Sequence, residues 1–197
     1  ISMDHNLPAQ ADPHAEIRAE VRKLCARFPG EYWRELDSRR GYPTEFVRAL
    51  TEAGWLAALI PEEFGGAGLQ LSGAAAILEE IQSSGCNGAA CHAQMYIMGT
   101  ILRHGSPAQK AQYLPAIAAG ELRLQAFGVT EPTSGTDTTA LRTTARREGD
   151  KYIVNGQKIW TSRAEHSDLM LLLARTTPRD QVAKKTDGLS TFIVDMR

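Results

Sequence analysis

The spacing of apolar residues changes rule partway along this chain. Over the first 120 residues, apolar side chains recur every third or fourth position. Beyond that they alternate or run together. Ile17, Val21, Leu24 and Phe28 fall on one helical face, behind Asp12-Pro13, which reads as an N-cap followed by Pro at the first helical position. Pro43, Phe46, Val47 and Leu50 predict a short amphipathic helix over 43–53, stopped by Gly54. Ala74, Ile77, Leu78 and Ile81 mark another. The stretch 87–103 is apolar on nearly every side and predicts a buried central helix. Ser106-Pro107 opens one more, carrying Tyr113, Leu114 and Ile117 and ending before Gly120. Five or six helices with short connections predict a bundle.

The second half reads as strands at 122–129, 141–148, 151–154, 157–161, 168–175 and 189–196. Gly149-Asp150 reads as a turn, and Asn155-Gly156 as a hairpin turn joining "KYIV" to "QKIWT". The continuous apolar run at 168–175 predicts a central strand. Together these predict an antiparallel meander closed into a small barrel or sandwich. The expected class is therefore α+β, with a helical domain over 1–121 and an incomplete β-domain over 122–197. A last strand with an uncovered edge implies the front part of something longer.

Composition sharpens the division. Residues 1–120 hold 21 Ala and 3 Thr, and residues 121–197 hold 6 Ala and 12 Thr. Ala favours helix and Thr favours strand. Hydrophobic residues make up 43% and charged residues 23%, as in ordinary globular proteins. A net charge of −1 points to neither nucleic acid nor an anionic membrane, and no apolar run reaches the roughly 20 residues of a membrane span. Residues 1–14 lack the apolar core of a signal peptide, and Ile1-Ser2 ahead of Met3 reads as a cloning remnant. Cys25, Cys86 and Cys91 are too irregularly spaced for a disulfide framework, so a reducing cytoplasm is the expected location.

Three stretches could carry chemistry. "PEEFGGAGLQLSG" (61–73) mimics a glycine-rich phosphate loop, but Leu71 stands where a dinucleotide fingerprint needs Gly, so it reads as a tight loop between helices. Cys86, Cys91 and His92 lack the second ligand pair a zinc site uses, and read as packed Cys beside a hydrogen-bonded or pocket-lining His. "FGVTEPTSGTD" (127–137) is different. Pro132 pushes Glu131 to an extended conformation, Gly135 permits close approach of a ligand, and Thr130, Thr133, Ser134 and Thr136 supply hydroxyls. Such a loop suits a phosphate or the polar edge of a heterocycle, although a plain Ser/Thr-rich turn stays open. Glu131 beside Pro reads as a structural acceptor more readily than as a base. In "QKIWTSR" (157–163), Trp160 beside Thr161 and Ser162 could stack on a planar cofactor, or could simply fill a core.

Together these stretches resemble the acyl-CoA dehydrogenase family. "FGVTEPTSGTD" is similar to its V-T-E-P-x-x-G-[ST]-D motif, and "DKYIVNGQKIWTS" to its N-G-x-K-x-[WY]-[IT]-[ST] stretch. "PEEFGGAGL" and "GSPAQKAQYLPAIAAGE" are similar to its helical-domain segments, and the resemblance covers residues 12–197. It implies a helical domain, a middle β-domain and a C-terminal helical domain that is absent here. It implies FAD, with Phe127, Val129 and Thr130 lining the isoalloxazine edge and Gly135 and Thr136 reaching the phosphate region. Thr136 would adjoin the thioester, Trp160 would pack on the ring, and Ser162 would offer a hydroxyl near the reactive nitrogen. It implies α,β-dehydrogenation of an acyl-CoA, with a Glu base outside this chain and no catalytic residue within it. Electrons would pass to an electron-transferring flavoprotein, and the full-length protein would be a homo-oligomer. Two alternatives stay open: a flavin oxidase or monooxygenase of the same fold, and a non-catalytic fragment that binds flavin weakly or only assembles. The 197-residue chain alone is expected to be inactive.

Overall fold

The computed structural model describes residues 11–197. The reading of Ile1-Ser2 as a remnant lies outside the described residues. Six α-helices come first: α1 (Ala15–Cys25), α2 (Gly30–Ser38), α3 (Thr44–Glu52), α4 (Leu71–Ser83), α5 (Ala89–His104) and α6 (Pro107–Ala118). Five strands follow: β1 (Leu124–Gly128), β2 (Thr144–Glu148), β3 (Lys151–Asn155), β4 (Leu169–Arg175) and β5 (Leu189–Asp195).

Among the six described helices, α6 alone has a side-chain cap at its N-terminus. At α6, Ser106 Oγ accepts from Gln109 N (3.2 Å), while Gln109 Oε1 accepts from Ser106 N (2.9 Å). This reciprocal cap satisfies two amides that the helix cannot, and Pro107 sits where its missing N–H costs nothing. At α1 the start lies later than the Asp12-Pro13 reading: Asp12 Oδ1 accepts from His14 N (2.9 Å), forming a turn ahead of Ala15. In the loop at 61–73, a Cβ at Gly66 would overlap the carbonyl oxygen and Cβ of Ile60 and stand 2.6 Å from the carbonyl oxygen of Ala57. Only Gly fits where the chain folds back on its own one-turn helix, Trp55–Ala57.

Two cores result. Val21, Leu24, Phe46, Leu50, Ile77 and Ile81 build the first from α1, α3 and α4. The ring of Phe28 meets Tyr32 and Phe46 edge-on at 5.1 Å. Ile97, Met98, Leu114, Ile117, Leu124 and Leu169 build the second, from α5, α6, β1 and β4. The central helix foreseen at 87–103 is α5, which gives Ala90, Cys91 and Met95 to the first core and Ala93, Ile97, Met98 and Ile101 to the second. Cys86 and Cys91 are packed inside, and burial pushes the Cys91 thiol up to about 12.

The α+β class stands, but the strand pairing differs from a closed antiparallel meander. β1 runs parallel to β4, with Phe127 opposite Leu171 and Gly128 opposite Leu172. β5 lies antiparallel along the other edge of β4. The β2–β3 hairpin turns at Gly149-Asp150 and joins β4 only through Thr144 and Arg175, in parallel. The open five-stranded sheet is mixed because β1 passes over the hairpin to reach the most apolar strand. Asn155-Gly156 is not a hairpin turn, and 157–161 is not a strand. Gly156 is extended, and a Cβ there would overlap the Thr143 hydroxyl and lie 2.6 Å from Thr143 Cα. It is glycine for close approach to Thr143 rather than for a hairpin turn.

Gly66→Ala should lower stability by about 3 kcal/mol, because backbone must move to admit the methyl. Gly99→Ala, inside α5 with nothing within 4 Å of the new Cβ, should raise it by roughly 0.5–1 kcal/mol. Urea denaturation of both variants checks this pair, and equal effects would refute the packing of the 61–73 loop.

Candidate functional site

β1 ends at Gly128 and releases the segment 129–137 at the margin of the sheet. Glu131 and Ser134 pair across Pro132-Thr133, with Glu131 N donating to Ser134 O (2.9 Å) and Ser134 N to Glu131 O (3.2 Å). Ser134 Oγ donates to Asp137 O (2.8 Å), and Asp137 Oδ1 accepts from Thr139 N (3.2 Å). The loop is thus closed by its own hydrogen bonds, as its Asp and Ser content favours.

The Glu131 carboxylate sits under this loop, 4% exposed. Oε2 accepts from Arg142 N (2.6 Å), and Oε1 accepts from Thr143 N (2.9 Å) and from Lys158 Nζ (2.8 Å). Lys158 Nζ also donates to Val129 O (3.0 Å), and its side chain is 8% exposed. Burial alone would raise the Glu131 pKa. The Lys158 ammonium and the donors of Thr143 and Arg142 override that and bring it down to about 2. Glu131 is therefore a fixed anion with its oxygens engaged, which suits a structural acceptor and not a proton-abstracting base.

Ile159 N donates to Thr130 O (2.9 Å), so residues 158–160 run beside 129–131. Trp160 follows, in left-handed backbone (φ 58) and with its side chain out in the open, 85% exposed. That geometry is an outlier for a bulky residue and is held by the pinned segment on its N-terminal side. The expectation that Trp160 ends a strand is corrected by this conformation, and the core alternative fails on exposure. Thr130 is partly buried and Thr136 and Ser162 are exposed; their hydroxyls take part in none of the hydrogen bonds that close the loop. Gly135 is exposed, with open space within 4 Å of where a Cβ would stand.

The structure thus brings Val129, Thr130 and Trp160 side by side, with Ser162 two residues on. Gly135 and Thr136 lie past the Glu131–Ser134 turn. Phe127 is turned toward α5, its ring 6.2 Å from that of Tyr96, which in turn lies 5.0 Å from His92. Lys158 and the amides of Arg142 and Thr143 were not foreseen from the sequence. The available signals are a single cation in "KIW" and its place at the fixed Lys of the N-G-x-K stretch, neither of which names Glu131 as its partner.

Comparison with known proteins places these features in a lineage. Residues 11–121 match the family model of the acyl-CoA dehydrogenase N-terminal domain, and residues 126–197 match that of the middle domain. The chain is 38% identical over 188 residues to a 3-(aryl)acrylate reductase of Clostridium sporogenes, covering 94% of this chain and 48% of the relative. It is 34% identical over 202 residues to a glutaryl-CoA dehydrogenase of Desulfococcus multivorans, covering 99% and 49%. An acyl-CoA dehydrogenase structure from Geobacillus kaustophilus superposes with a TM-score of 0.84 at 28% identity, covering 96% of this chain and 49% of that one. The chain spans about half the length of the relatives it matches.

Glu131→Gln should lower stability at pH 7 by about 3 kcal/mol, since it strands the buried Lys158 ammonium. Because folding depresses the Glu131 pKa to about 2, the unmodified protein should carry this contribution above about pH 4.5 and lose it as pH falls toward 2. The variant should lack that part of the pH dependence. Denaturant titrations at neutral and acid pH check it, and parallel stability–pH curves for the two proteins would refute it.

Proposed function

The chain belongs to the acyl-CoA dehydrogenase family, and on that premise we propose that it is the flavin-holding part of an oxidoreductase. The reaction would remove two hydrogens across the α,β carbon–carbon bond of an acyl-CoA thioester. The observation that carries this reading is Trp160, exposed and in strained backbone beside free hydroxyls at a loop pinned from beneath. An exposed indole offers a planar ligand a face to stack on, and strained conformations concentrate at ligand sites.

We assign FAD as the cofactor, and the residues fit it. Trp160 offers a flat apolar face, and the hydroxyls of Thr130, Thr136 and Ser162 are not consumed by internal bonds. Gly135 leaves open space where a Cβ would otherwise project. When bound, FAD would supply the acceptor for the hydride leaving the β-carbon. Of the remaining assigned residues, Val129 would line the ring edge, and Phe127 would reach it from the α5 side. Thr136 would also meet the thioester. Hydroxyl and amide donors here would stabilise negative charge that develops at the ring. Glu131 would hold the loop and take no part in proton transfer, so the α-proton would go to a carboxylate supplied by another part of the full-length protein.

The division between a helical domain, 1–121, and a β-domain, 122–197, would fall in the link between α6 and β1. We further propose an electron-transferring flavoprotein as the acceptor, self-association of the full-length protein, and a cytoplasmic location. Among the described residues no helix is long and apolar enough to cross a membrane.

The test is anaerobic addition of acyl-CoA thioesters to the full-length protein, following bleaching of flavin absorbance. Bleaching with enoyl-CoA formation supports the proposal, and failure of the protein to take up FAD on reconstitution overturns it. Rapid reoxidation of the reduced flavin by air would favour an oxidase instead. Trp160→Ala should weaken FAD binding by roughly tenfold or more while leaving the melting temperature of the apoprotein unchanged. Glu131→Gln that retains FAD and fold should keep α-proton exchange, and loss of exchange would refute its structural role.

A further inference from the structure

A cavity of about 220 Å³ opens between the α2–α3 connection and the loop that follows Ser162. Arg40, Tyr42, Asn87, Arg163 and His166 are among its walls. Arg40 (φ 52) and Arg163 (φ 59) are two of the three non-glycine residues in left-handed backbone among the described residues. Both are arginine and both stand at this one cavity. Each such conformation costs on the order of 1 kcal/mol, and it persists where surroundings impose it.

The aromatic part of the wall is rigid. Tyr42 stacks on His166 with ring centroids 4.3 Å apart and planes 27° apart. The Arg123 guanidinium lies over the Tyr42 ring, 5.5 Å from its centroid. The Tyr42 hydroxyl donates to Gln125 Oε1 (2.8 Å), which fixes the ring from the far side. Asn87 Oδ1 accepts from Ala89 N (2.9 Å), leaving its NH₂ group to donate elsewhere.

No carboxylate lines the cavity. None of the ion pairs among the described residues involves Arg40, Arg123 or Arg163. Arg40 and Arg163 stand in the cavity wall without an acidic partner, and Arg123 lies behind Tyr42, another of its walls; a bound anion would offset this unpaired positive charge. Two guanidinium forks, a carboxamide and an imidazole offer more donors than the two oxygens of a carboxylate can take. A phosphoryl group presents three oxygens and matches the fork geometry. The cavity shares Gly41, Pro43 and Asn87 with a larger cleft of about 540 Å³ that includes Trp33, Leu36 and, beyond the arginines, Asp37. That cleft leaves room for an organic group attached to the phosphoryl.

From these features we propose that the cavity binds a phosphoryl group, presented by a small phosphate ester or as free phosphate. The site is separate from the loop surface assigned to FAD and does not rest on that assignment. Arg163 directly follows Ser162, so occupancy fixes the loop that carries Ser162 and Trp160.

Calorimetric titration of the intact protein with inorganic phosphate, pyrophosphate and AMP tests the site. Saturable one-to-one binding is expected, weakened roughly tenfold or more by Arg40→Gln and by Arg163→Gln. Arg146→Gln, on the exposed face of β2, should leave it unchanged. Tighter binding of AMP than of phosphate identifies an ester as the ligand, and equal affinity identifies free phosphate. In the unmodified protein, phosphate should shift the His166 ring resonances in NMR spectra, a readout that survives if a variant misfolds. The proposal is overturned if no phosphoryl probe saturates, if acetate binds as tightly as phosphate, or if Arg146→Gln weakens binding as much as the other two.

Discussion

The buried ion pair of Glu131 and Lys158 is the constraint on which the candidate site depends. Taking a carboxylate and an ammonium out of water is unfavourable, and their mutual attraction alone need not repay it. Here three further hydrogen bonds add to it, from the amides of Arg142 and Thr143 to Glu131 and from Lys158 to the carbonyl of Val129. These additional bonds make the pair tolerable. Its effect is geometric: it gathers the exit of β1, the entry to β2 and the segment before Trp160 at one point. An apolar cluster could fill the same volume, but it would not fix the register of three chain segments so narrowly.

The parts of this arrangement legible in the sequence were those that depend on neighbours along the chain. The apolar period of α1, α3 and α4 is a local property, as is the Ser106–Gln109 cap. The composition of "FGVTEPTSGTD" marked a ligand loop because hydroxyls, Gly and Pro act through local geometry. Strand order was not legible, because β1 and β4 meet across more than 40 residues that contain a complete hairpin. Asn155-Gly156 misled for a related reason: its glycine is required by Thr143, a distant neighbour. Lys158 was hidden likewise, since its carboxylate lies 27 residues earlier and a lone Lys in an apolar strand pattern ordinarily points to solvent.

The two family models meet within a short stretch, one ending at 121 and the other beginning at 126. The structure there is a brief link between α6 and β1, yet the halves are not loosely joined. Gln125 in β1 takes a hydrogen bond from Tyr42 and gives one to Gln94 in α5 (3.4 Å), which in turn bonds the carbonyl of Leu56 (3.2 Å). This polar thread passes through otherwise apolar packing and specifies how the sheet seats on the helices.

α5 carries that seating further. Because α5 gives residues to both cores, neither core can dissolve without exposing a helix the other needs. The helical half and the sheet are therefore one cooperative unit with respect to opening. Free energy gained by a ligand at the 129–137 loop is shared, through β1 and α5, with amides near α1 and α4. Slow exchange of protons in those distant helices then becomes a gauge of what happens at the edge of the sheet.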